Sequence, residues 1–339
     1  MATPIPLRKS CKGAVCSATP ASAETPRFLV CLAGPTGAGK TAAALALAEA
    51  LPISVINADS RQVYADFPII TAQPSPEERA RCPHLLYGFL STDEKLGAGE
   101  YARLAAAAIA EEHEKGRLPV LVGGTGLYFK TLLEGIAAIP DVPRPISAYW
   151  QTRCQAEGAP ALHALLVEHD PAYAAKIHPH DRQRVTRALE VWQATGKNFS
   201  WWHARPLPVT PHDACKIGIS LPMAELEILL GVRIESMLRA GALEEARAAL
   251  IRCPSPEAPG WTGIGCKEVH AHLEGSLTLD ECRVLWRKNT RAYAKRQNTW
   301  FRADPAIRWF RPEQTEELVA HVLQERQRWE QRRQAKKPE

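Results

Sequence analysis

The sequence lacks the features that mark several classes of protein. Its nine cysteines include no Cys-x-x-Cys pair, which argues against a zinc site or a disulfide framework and favours reduced thiols in a cytoplasmic protein. Its longest apolar run, "LAAAAIA" beginning at Leu104, is too short to cross a bilayer. The net charge of +5 is too small to identify a polyanionic partner from the average. We therefore expect a soluble protein whose partners show in local clusters of residues.

The first 26 residues also lack a feature, the continuous apolar core of a secretory signal. They are rich in Ala, Ser, Thr and Pro, and we predict a disordered N-terminal extension over residues 1–26. Their basic start with few acidic residues leaves an organelle transit peptide open as an alternative.

Apolar strand patterns alternate with helical patterns in the rest of the chain. "FLVCLA", "ISVIN" and "LPVLVGG" have the pattern of buried strands, and helical stretches separate them. This alternation predicts an α/β fold, a parallel sheet flanked by helices. Proline clusters in "IPDVPRP" and "PLPVTPHD" bound a mainly helical stretch. We predict a catalytic α/β domain over residues 27–140 and 213–312, a helical insertion domain over 141–212 and a charged C-terminal tail over 313–339.

The segment "GPTGAGKT" has the spacing of a phosphate-binding loop, G-x-x-x-x-G-K-T, between a predicted strand and a predicted helix. Such a loop directs backbone N–H groups and a helix N-terminus at phosphate oxygens. Its lysine adds positive charge, and its threonine can hold Mg²⁺. The predicted phosphate-binding residues are Gly34, Pro35, Thr36, Gly37, Ala38, Gly39, Lys40 and Thr41. Taken alone, the loop favours a kinase or another nucleotide-dependent enzyme.

Asp59 follows the predicted strand "ISVIN", and three roles are open for it. It could bind Mg²⁺, act as a general base on an incoming nucleophile, or cap a turn. Ligands of parallel sheets bind beyond the carboxyl ends of the strands. We therefore expect the glycine-rich loop, "ADSRQVY" and "GGTGLY" to share one cleft.

Several long strings occur in an order that resembles one enzyme family. "GPTGAGKT", "INADSRQVY", "LVGGTGLYFKTLLEGI", "HDRQRVTRALEVWQATGK" and "RAYAKRQNTWFR" are similar to segments of the tRNA dimethylallyltransferases, and the likeness extends from about Phe28 to Phe310. The resemblance implies that the loop holds dimethylallyl diphosphate rather than ATP, with Mg²⁺ as cofactor and the tRNA anticodon stem-loop as partner. It implies attack by N6 of adenosine 37, with Asp59 as the base.

The resemblance also carries over to individual positions. It implies catalytic roles for Thr125, in "GGTGLY", and for Lys267, whose charge would face the diphosphate. It further implies tRNA contacts at Asp59, Ser60, Arg61, Gln62, Thr125, Ser147, Gln183, Arg184, Val185, Thr186 and Arg187.

The chain departs from the family pattern at a few positions. Ile70 and Gln73 replace the glycine and lysine of the family's "GTAKP". Cys266 precedes Lys267 where the family has an aromatic residue before Arg or Lys, and Lys lacks the planar fork of Arg. Ser147 stands where the family often has an arginine, with Arg144 nearby.

A stretch from Arg283 to Arg302 holds seven basic residues and no acidic one. Aromatic residues are interleaved with the basic ones, a combination typical of surfaces that bind RNA phosphates and stack bases. The alternative is that the aromatic residues lie in the core beside a solvated basic face. The predicted tRNA contacts in this stretch are Arg291, Lys295 and Arg296.

Two other functions remain open from sequence. An adenylate isopentenyltransferase would use the same loop and base on free AMP, ADP or ATP, although the helical insertion argues against so small an acceptor. A P-loop kinase would need a base-binding site that no motif here specifies. We expect a monomer, because one chain with an insertion needs no symmetry to recognise tRNA.

Overall fold

Six parallel strands form one sheet at the centre of the protein. The structure, a computed structural model, describes residues 26–206 and 209–335. The strands lie in the order β3-β2-β4-β1-β5-β6, and their bounds are β1 Arg27–Ala33, β2 Ile53–Asn57, β3 His84–Leu85, β4 Leu118–Gly123, β5 His212–Ile219 and β6 Arg308–Phe310. The predicted α/β fold with a parallel sheet is therefore confirmed. Apart from Pro26, the predicted N-terminal extension lies outside the described residues.

Helices cover both faces of the sheet because its strands are apolar on both faces. In β1, Val30 and Leu32 belong to one hydrophobic cluster, and Leu29 and Cys31 belong to another on the opposite face. The helices are α1 Lys40–Ala50, α2 Pro76–Arg81, α3 Ala98–Glu114, α4 Gly126–Glu134, α5 Arg144–Glu157, α6 Ala159–His169, α7 Pro171–Ala174, α8 Arg182–Thr195, α9 Phe199–His203, α10 Met223–Arg239, α11 Ala242–Arg252, α12 Cys266–Leu273, α13 Leu279–Arg302 and α14 Thr315–Ala335.

Helices α5 to α9 have a hydrophobic cluster of their own. Trp150, Leu162 and Leu189 lie at its centre, each almost fully buried. The chain leaves the sheet after β4 and α4 and rejoins it at β5, so these helices are inserted between two strands of one sheet. Pro145 lies in the first turn of α5, where a missing N–H costs little, and this explains why a helix begins directly after the proline cluster.

The C-terminal segment differs from the charged tail that the sequence suggests. Its helix α14 buries Leu318 and Val322 in the same cluster as Val30 and Leu32 of β1. The ring of Trp329 lies 5.8 Å from that of Phe28. Apolar residues spaced by about one or two helical turns form a stripe that the surrounding charges conceal in the average composition. Residues 315–335 therefore belong to the sheet domain.

Two further findings concern the described residues. None of their helices is both long enough and apolar enough to span a membrane. The seven cysteines among them are free thiols, six of them buried.

Candidate active site

The glycine-rich loop Gly34–Thr41 connects the end of β1 to the start of α1. Gly39, the N-cap of α1, has φ of 90°, a left-handed conformation that glycine adopts without strain. Lys40 folds back over the loop, where its Nζ donates to the carbonyl oxygens of Gly34 at 2.9 Å and Pro35 at 2.8 Å. Burial lowers the pKa of Lys40 to about 8, with a smaller lowering from Arg233 and an opposing effect from Asp59.

Asp59 lies beyond the carboxyl end of β2 in a turn that fixes its orientation. Its own N–H donates to Asn57 Oδ1 at 2.8 Å, and its Oδ1 accepts from the N–H of Arg61 at 2.8 Å. The carboxylate therefore caps a turn, as one of the three sequence-based roles has it. Among the hydrogen bonds of residues 26–206 and 209–335, none uses Oδ2, so capping leaves one carboxylate oxygen for chemistry.

Thr125, beyond the end of β4, lies against the same turn. Its hydroxyl accepts from the N–H of Ser60 at 2.9 Å, and its own N–H donates to the carbonyl of Ala58 at 3.1 Å. The carboxyl ends of β1, β4 and β2 lie side by side because these strands are neighbours in the sheet. The segments that follow them are therefore brought together, as expected.

A cavity of about 370 Å³ opens where the glycine-rich loop and the Asp59 turn meet α10 and α13. Its polar lining includes Thr36, Asp59 and Arg233. The apolar lining lies on α10, α13 and the two loops nearby, and consists of Ile70, Leu230, Ile234, Met237, Ile264 and Trp286. The cavity can therefore hold a ligand that has one anionic end and one apolar end.

Arg233 is a lining residue that the sequence analysis missed. It lies on α10 between the buried Leu230 and Ile234, so its guanidinium enters the cavity from an apolar helix face. Burial lowers its pKa, against an opposing effect of Asp59. The signal in the sequence was a lone arginine within the buried stripe of "AELEILLGVRIESML".

Lys267, to which the resemblance assigned a catalytic charge, lies elsewhere. It is exposed near the start of α12 and does not line the cavity, to which that segment contributes Thr262, Gly263 and Ile264 instead. Its neighbour Cys266 is buried, and burial raises the pKa of that thiol well above its usual range.

The segment after Asp59 supports the cavity wall. Arg61 Nη1 donates to Thr262 Oγ1 at 3.2 Å, which joins two parts of the lining. Gln62 Nε2 donates to the carbonyls of Thr71 at 3.1 Å and Ala72 at 2.6 Å. Ser60 and Arg61 face the cavity, whereas the Gln62 amide holds the loop that carries Ile70.

Two of the departures from the family pattern, Ile70 and Gln73, lie in that same loop. The N–H groups of Ile69 and Ile70 donate to the Glu245 carboxylate at 2.6 and 2.9 Å, and burial raises the pKa of Glu245 to about 7. Gln73 Nε2 donates to the carbonyl of Tyr64 at 2.7 Å. Ile70 and Gln73 are therefore built into the wall, and Ile70 adds an apolar side chain to the cavity.

The residues predicted on α8 divide between its two faces. Gln183 and Arg184 are exposed, and Arg184 lies 3.4 Å from Asp181. Arg187 pairs with Glu190 at 3.3 Å. Val185 and Thr186 are buried, the former in the cluster of the helical insertion, and they present no side chain to a partner. On α5, Ser147 is half-buried and Arg144 is exposed.

Helix α13 passes beside the cavity with its basic residues pointing outward. Arg291 pairs with Glu227 at 2.7 Å, Lys295 is exposed, and Arg296 reaches the cavity rim. The interleaved aromatic residues divide between the core and the cavity. Trp286 and Phe301 are buried, whereas Tyr293 lines the cavity, where burial and the charge of Asp59 raise its pKa to about 12.

The described residues include no group of three or more His, Cys, Asp or Glu side chains arranged to hold a metal ion. Mg²⁺ does not need such a group, because it keeps several waters and binds through one or two protein oxygens plus substrate phosphates. The Thr41 hydroxyl, next to Lys40 on the loop, and the Asp59 carboxylate are oxygen ligands of the required kind.

Comparison with known proteins identifies relatives over most of the chain. The family model described as IPP transferase matches residues 62–304, a match that does not include the glycine-rich loop. A tRNA dimethylallyltransferase of Oleidesulfovibrio alaskensis is 58% identical over 281 residues, which cover 83% of this chain and 92% of the relative. One of Nitratidesulfovibrio vulgaris is 57% identical over 294 residues, covering 87% and 95% of the two chains.

The solved structures to which this chain is similar include enzymes of the same kind. A tRNA isopentenylpyrophosphate transferase of Bacillus halodurans is similar with a TM-score of 0.65 and 32% identity, over 88% of this chain and 96% of that one. A eukaryotic dimethylallyltransferase, described in action on tRNA, is similar with a TM-score of 0.71 and 29% identity, over 84% and 74% of the two chains.

Proposed function

Because the chain belongs to the IPP transferase family of tRNA dimethylallyltransferases, we propose that it transfers the dimethylallyl group of dimethylallyl diphosphate to N6 of adenosine 37 in tRNA. The products are N6-(dimethylallyl)adenosine and inorganic diphosphate. Family membership makes the chain a prenyltransferase that modifies tRNA. The identity of the prenyl donor and of the acceptor atom is what we propose.

The observation that carries the proposal is the mixed lining of the cavity. Thr36 of the glycine-rich loop and Arg233 offer hydrogen-bond donors and positive charge, which suit a diphosphate. The apolar side chains of α10 and α13 suit a five-carbon prenyl group. Asp59 lines the same cavity and follows the carboxyl end of β2. An ATP-dependent enzyme would instead need a nucleotide site beside the glycine-rich loop, where the cavity is lined by the aliphatic side chains of Leu230 and Ile234.

The changes of charge during the reaction determine which groups the site must provide. When N6 attacks the allylic C1, the C1–O bond to diphosphate breaks, and the nitrogen acquires positive charge that it loses as a proton. Oδ2 of Asp59 accepts this proton, since Oδ1 is held by the Arg61 amide. The departing diphosphate gains negative charge, which Lys40, Arg233 and the loop N–H groups stabilise more in the transition state than in the ground state.

Magnesium belongs to this proposal as the cofactor. Thr41 would hold the ion beside the diphosphate, which leaves Oδ2 of Asp59 free to accept the proton. When bound, Mg²⁺ supplies positive charge that neutralises the leaving diphosphate.

The tRNA partner accounts for exposed basic residues on α8 and α13. Arg184 on α8 and Lys295 and Arg296 on α13 are positioned to meet RNA phosphates in a salt-dependent manner. The adenosine must leave its stack for N6 to reach C1, and the half-buried ring of Tyr293 offers a surface for the base. We further propose that the chain acts as a monomer in the cytoplasm, where unmodified tRNA is found.

The lowered pKa of Lys40 gives a pH prediction. Its charge is present below about pH 8 and is lost as the pH rises through that value, so kcat/KM for dimethylallyl diphosphate should fall on the alkaline side. Lys40→Arg keeps its charge at all accessible pH values and should remove this alkaline fall, whatever its absolute rate. Steady-state rates at saturating tRNA, measured from neutral pH to well above 8, give the comparison. An identical alkaline limb in the arginine variant would assign the titration to another group.

The acceptor is tested by following labelled dimethylallyl diphosphate in the presence of Mg²⁺. We expect label on an unmodified tRNA transcript, and none on AMP, ADP or ATP. A transcript with guanosine at position 37, which lacks the N6 amine, serves as the matched control and should stay unlabelled. Label on the free nucleotides would instead make the chain an adenylate isopentenyltransferase. ATP consumption without any prenyl transfer would make it a kinase.

A further inference from the structure

Gln297, on the buried side of α13, joins the glycine-rich loop to the segment after β4. It is only 4% exposed. Its Oε1 accepts from the N–H of Thr36 at 2.9 Å, and its Nε2 donates to the carbonyl of Gly124 at 2.9 Å. The orientation of the amide is determined by its partners, because a backbone N–H can only donate and a carbonyl can only accept. Both ends of this buried amide are therefore satisfied.

The two partners belong to different halves of the proposed reaction. Thr36 is part of the glycine-rich loop and lines the cavity on the diphosphate side. Gly124 directly precedes Thr125, whose hydroxyl holds the N–H of Ser60, the residue after Asp59. A continuous path of hydrogen bonds and single chain steps thus runs from the diphosphate side through Gln297 to the turn that orients the base.

The close approach of Gln297 to the turn depends on glycine at position 124. A Cβ there would collide with Gln297 Nε2. The adjacent part of α13 packs on the same segment, since the ring of Phe301 meets that of Phe129 edge-on at 5.5 Å. One turn earlier, Tyr293 lines the cavity, and Arg296 lies at its rim. A single helix therefore carries both the groups that face the acceptor and the amide that ties the two loops.

We propose that Gln297 is a positioning residue that fixes the glycine-rich loop relative to Asp59. This inference rests on the function proposed above. Gln297 contacts no reacting atom, and its amide sets the separation between the leaving group and the base. Prenyl transfer needs the amine, C1 and the departing oxygen in line, and a misplacement of about 1 Å can cost about 10²-fold in rate. Loss of the amide should therefore lower kcat more than it changes the affinity for either substrate.

The test compares Gln297→Glu, Gln297→Ala and a control on the same helix. Glutamate keeps an acceptor for Thr36 but sets a carboxylate oxygen against the Gly124 carbonyl. The control is Thr299→Ala, because Thr299 is exposed, bonds only within the helix to the Lys295 carbonyl and does not line the cavity. We expect kcat to fall about 10- to 100-fold in both Gln297 variants, as for a misplaced reactant, with KM for dimethylallyl diphosphate and Kd for tRNA near wild type. The control should keep its activity.

A second variant separates positioning from stability. Gly124→Ala displaces the Gln297 amide from the other side and should also lower kcat. Combined with Gln297→Ala, it should add much less than its separate effect, because both changes break one link. Wild-type protein, assayed in parallel, tests the proposed function itself. If the wild type is active, folded Gln297 variants whose kcat stays within twofold of wild type would overturn the inference. A loss of activity that only follows a fall in melting temperature would also overturn it. Fully additive effects would overturn it as well.

Discussion

Replacing Asp59 by asparagine should abolish most prenyl transfer while leaving tRNA binding intact. Asparagine keeps the Oδ1 that accepts from the Arg61 N–H, so the turn is retained. It cannot accept the proton that N6 must lose. Loss of a positioned general base typically costs about 10²–10⁴-fold, and we expect kcat to fall within that range.

The measurement for Asp59 is single-turnover transfer of labelled prenyl group to tRNA, with tRNA affinity measured separately. Asp93→Asn is the matched control, because Asp93 is exposed and does not line the cavity. It should react at the wild-type rate. A fast Asp59→Asn enzyme would remove this residue from proton transfer and leave it only the turn-capping role.

Replacing Arg233 should cause the second large loss of activity, whereas replacing Lys267 should change the activity little. Arg233→Gln removes a cation from the cavity lining, where it can stabilise the departing diphosphate. Loss of one such stabilising group costs about 10²–10³-fold in other enzymes, so kcat/KM for dimethylallyl diphosphate should fall by a factor of that order. Arg233→Lys should recover part of the loss, since it keeps the charge without the planar fork.

Lys267→Gln is the matched control for Arg233, because the same charge is removed from an exposed position outside the cavity. Its kcat/KM should stay within about twofold of wild type, as is usual for exposed sites away from the chemistry. The opposite pattern, a large loss of kcat/KM in the Lys267 variant and none in the Arg233 variant, would contradict this prediction. It would show that Lys267 on α12 provides the positive charge that stabilises the diphosphate.

The contrast between these two cations shows what the sequence could and could not predict. The sheet, the glycine-rich loop and the meeting of Asp59 with Thr125 follow from local signals, because apolar runs and glycine spacing act over a few residues. Arg233 faces the loop only because α10 packs beside it, almost 200 residues further along the chain, and no local pattern encodes that contact. The family resemblance instead assigned the diphosphate-binding charge to Lys267, because a basic residue occupies the corresponding position of the motif.

Helix α13 shows the same division. Its concentration of basic residues indicated a surface for RNA, and Arg291 and Lys295 are exposed. The buried face of the same helix carries Gln297, whose two partners lie 261 and 173 residues away in the chain. On α8, the burial of Val185 was accessible from sequence, since its spacing from Leu189 is one helical turn, whereas a motif match treats all of its residues alike.

The central claim is that the glycine-rich loop holds a leaving diphosphate and not a nucleotide. Its most direct test follows inorganic diphosphate release and prenyl incorporation together, with purified protein, Mg²⁺, dimethylallyl diphosphate and tRNA, and with no nucleoside triphosphate present. We predict equal molar amounts of released diphosphate and prenylated adenosine, unchanged when ATP is added. A requirement for ATP, or phosphate release from ATP that accompanies the modification, would contradict this account and restore the loop to nucleotide binding.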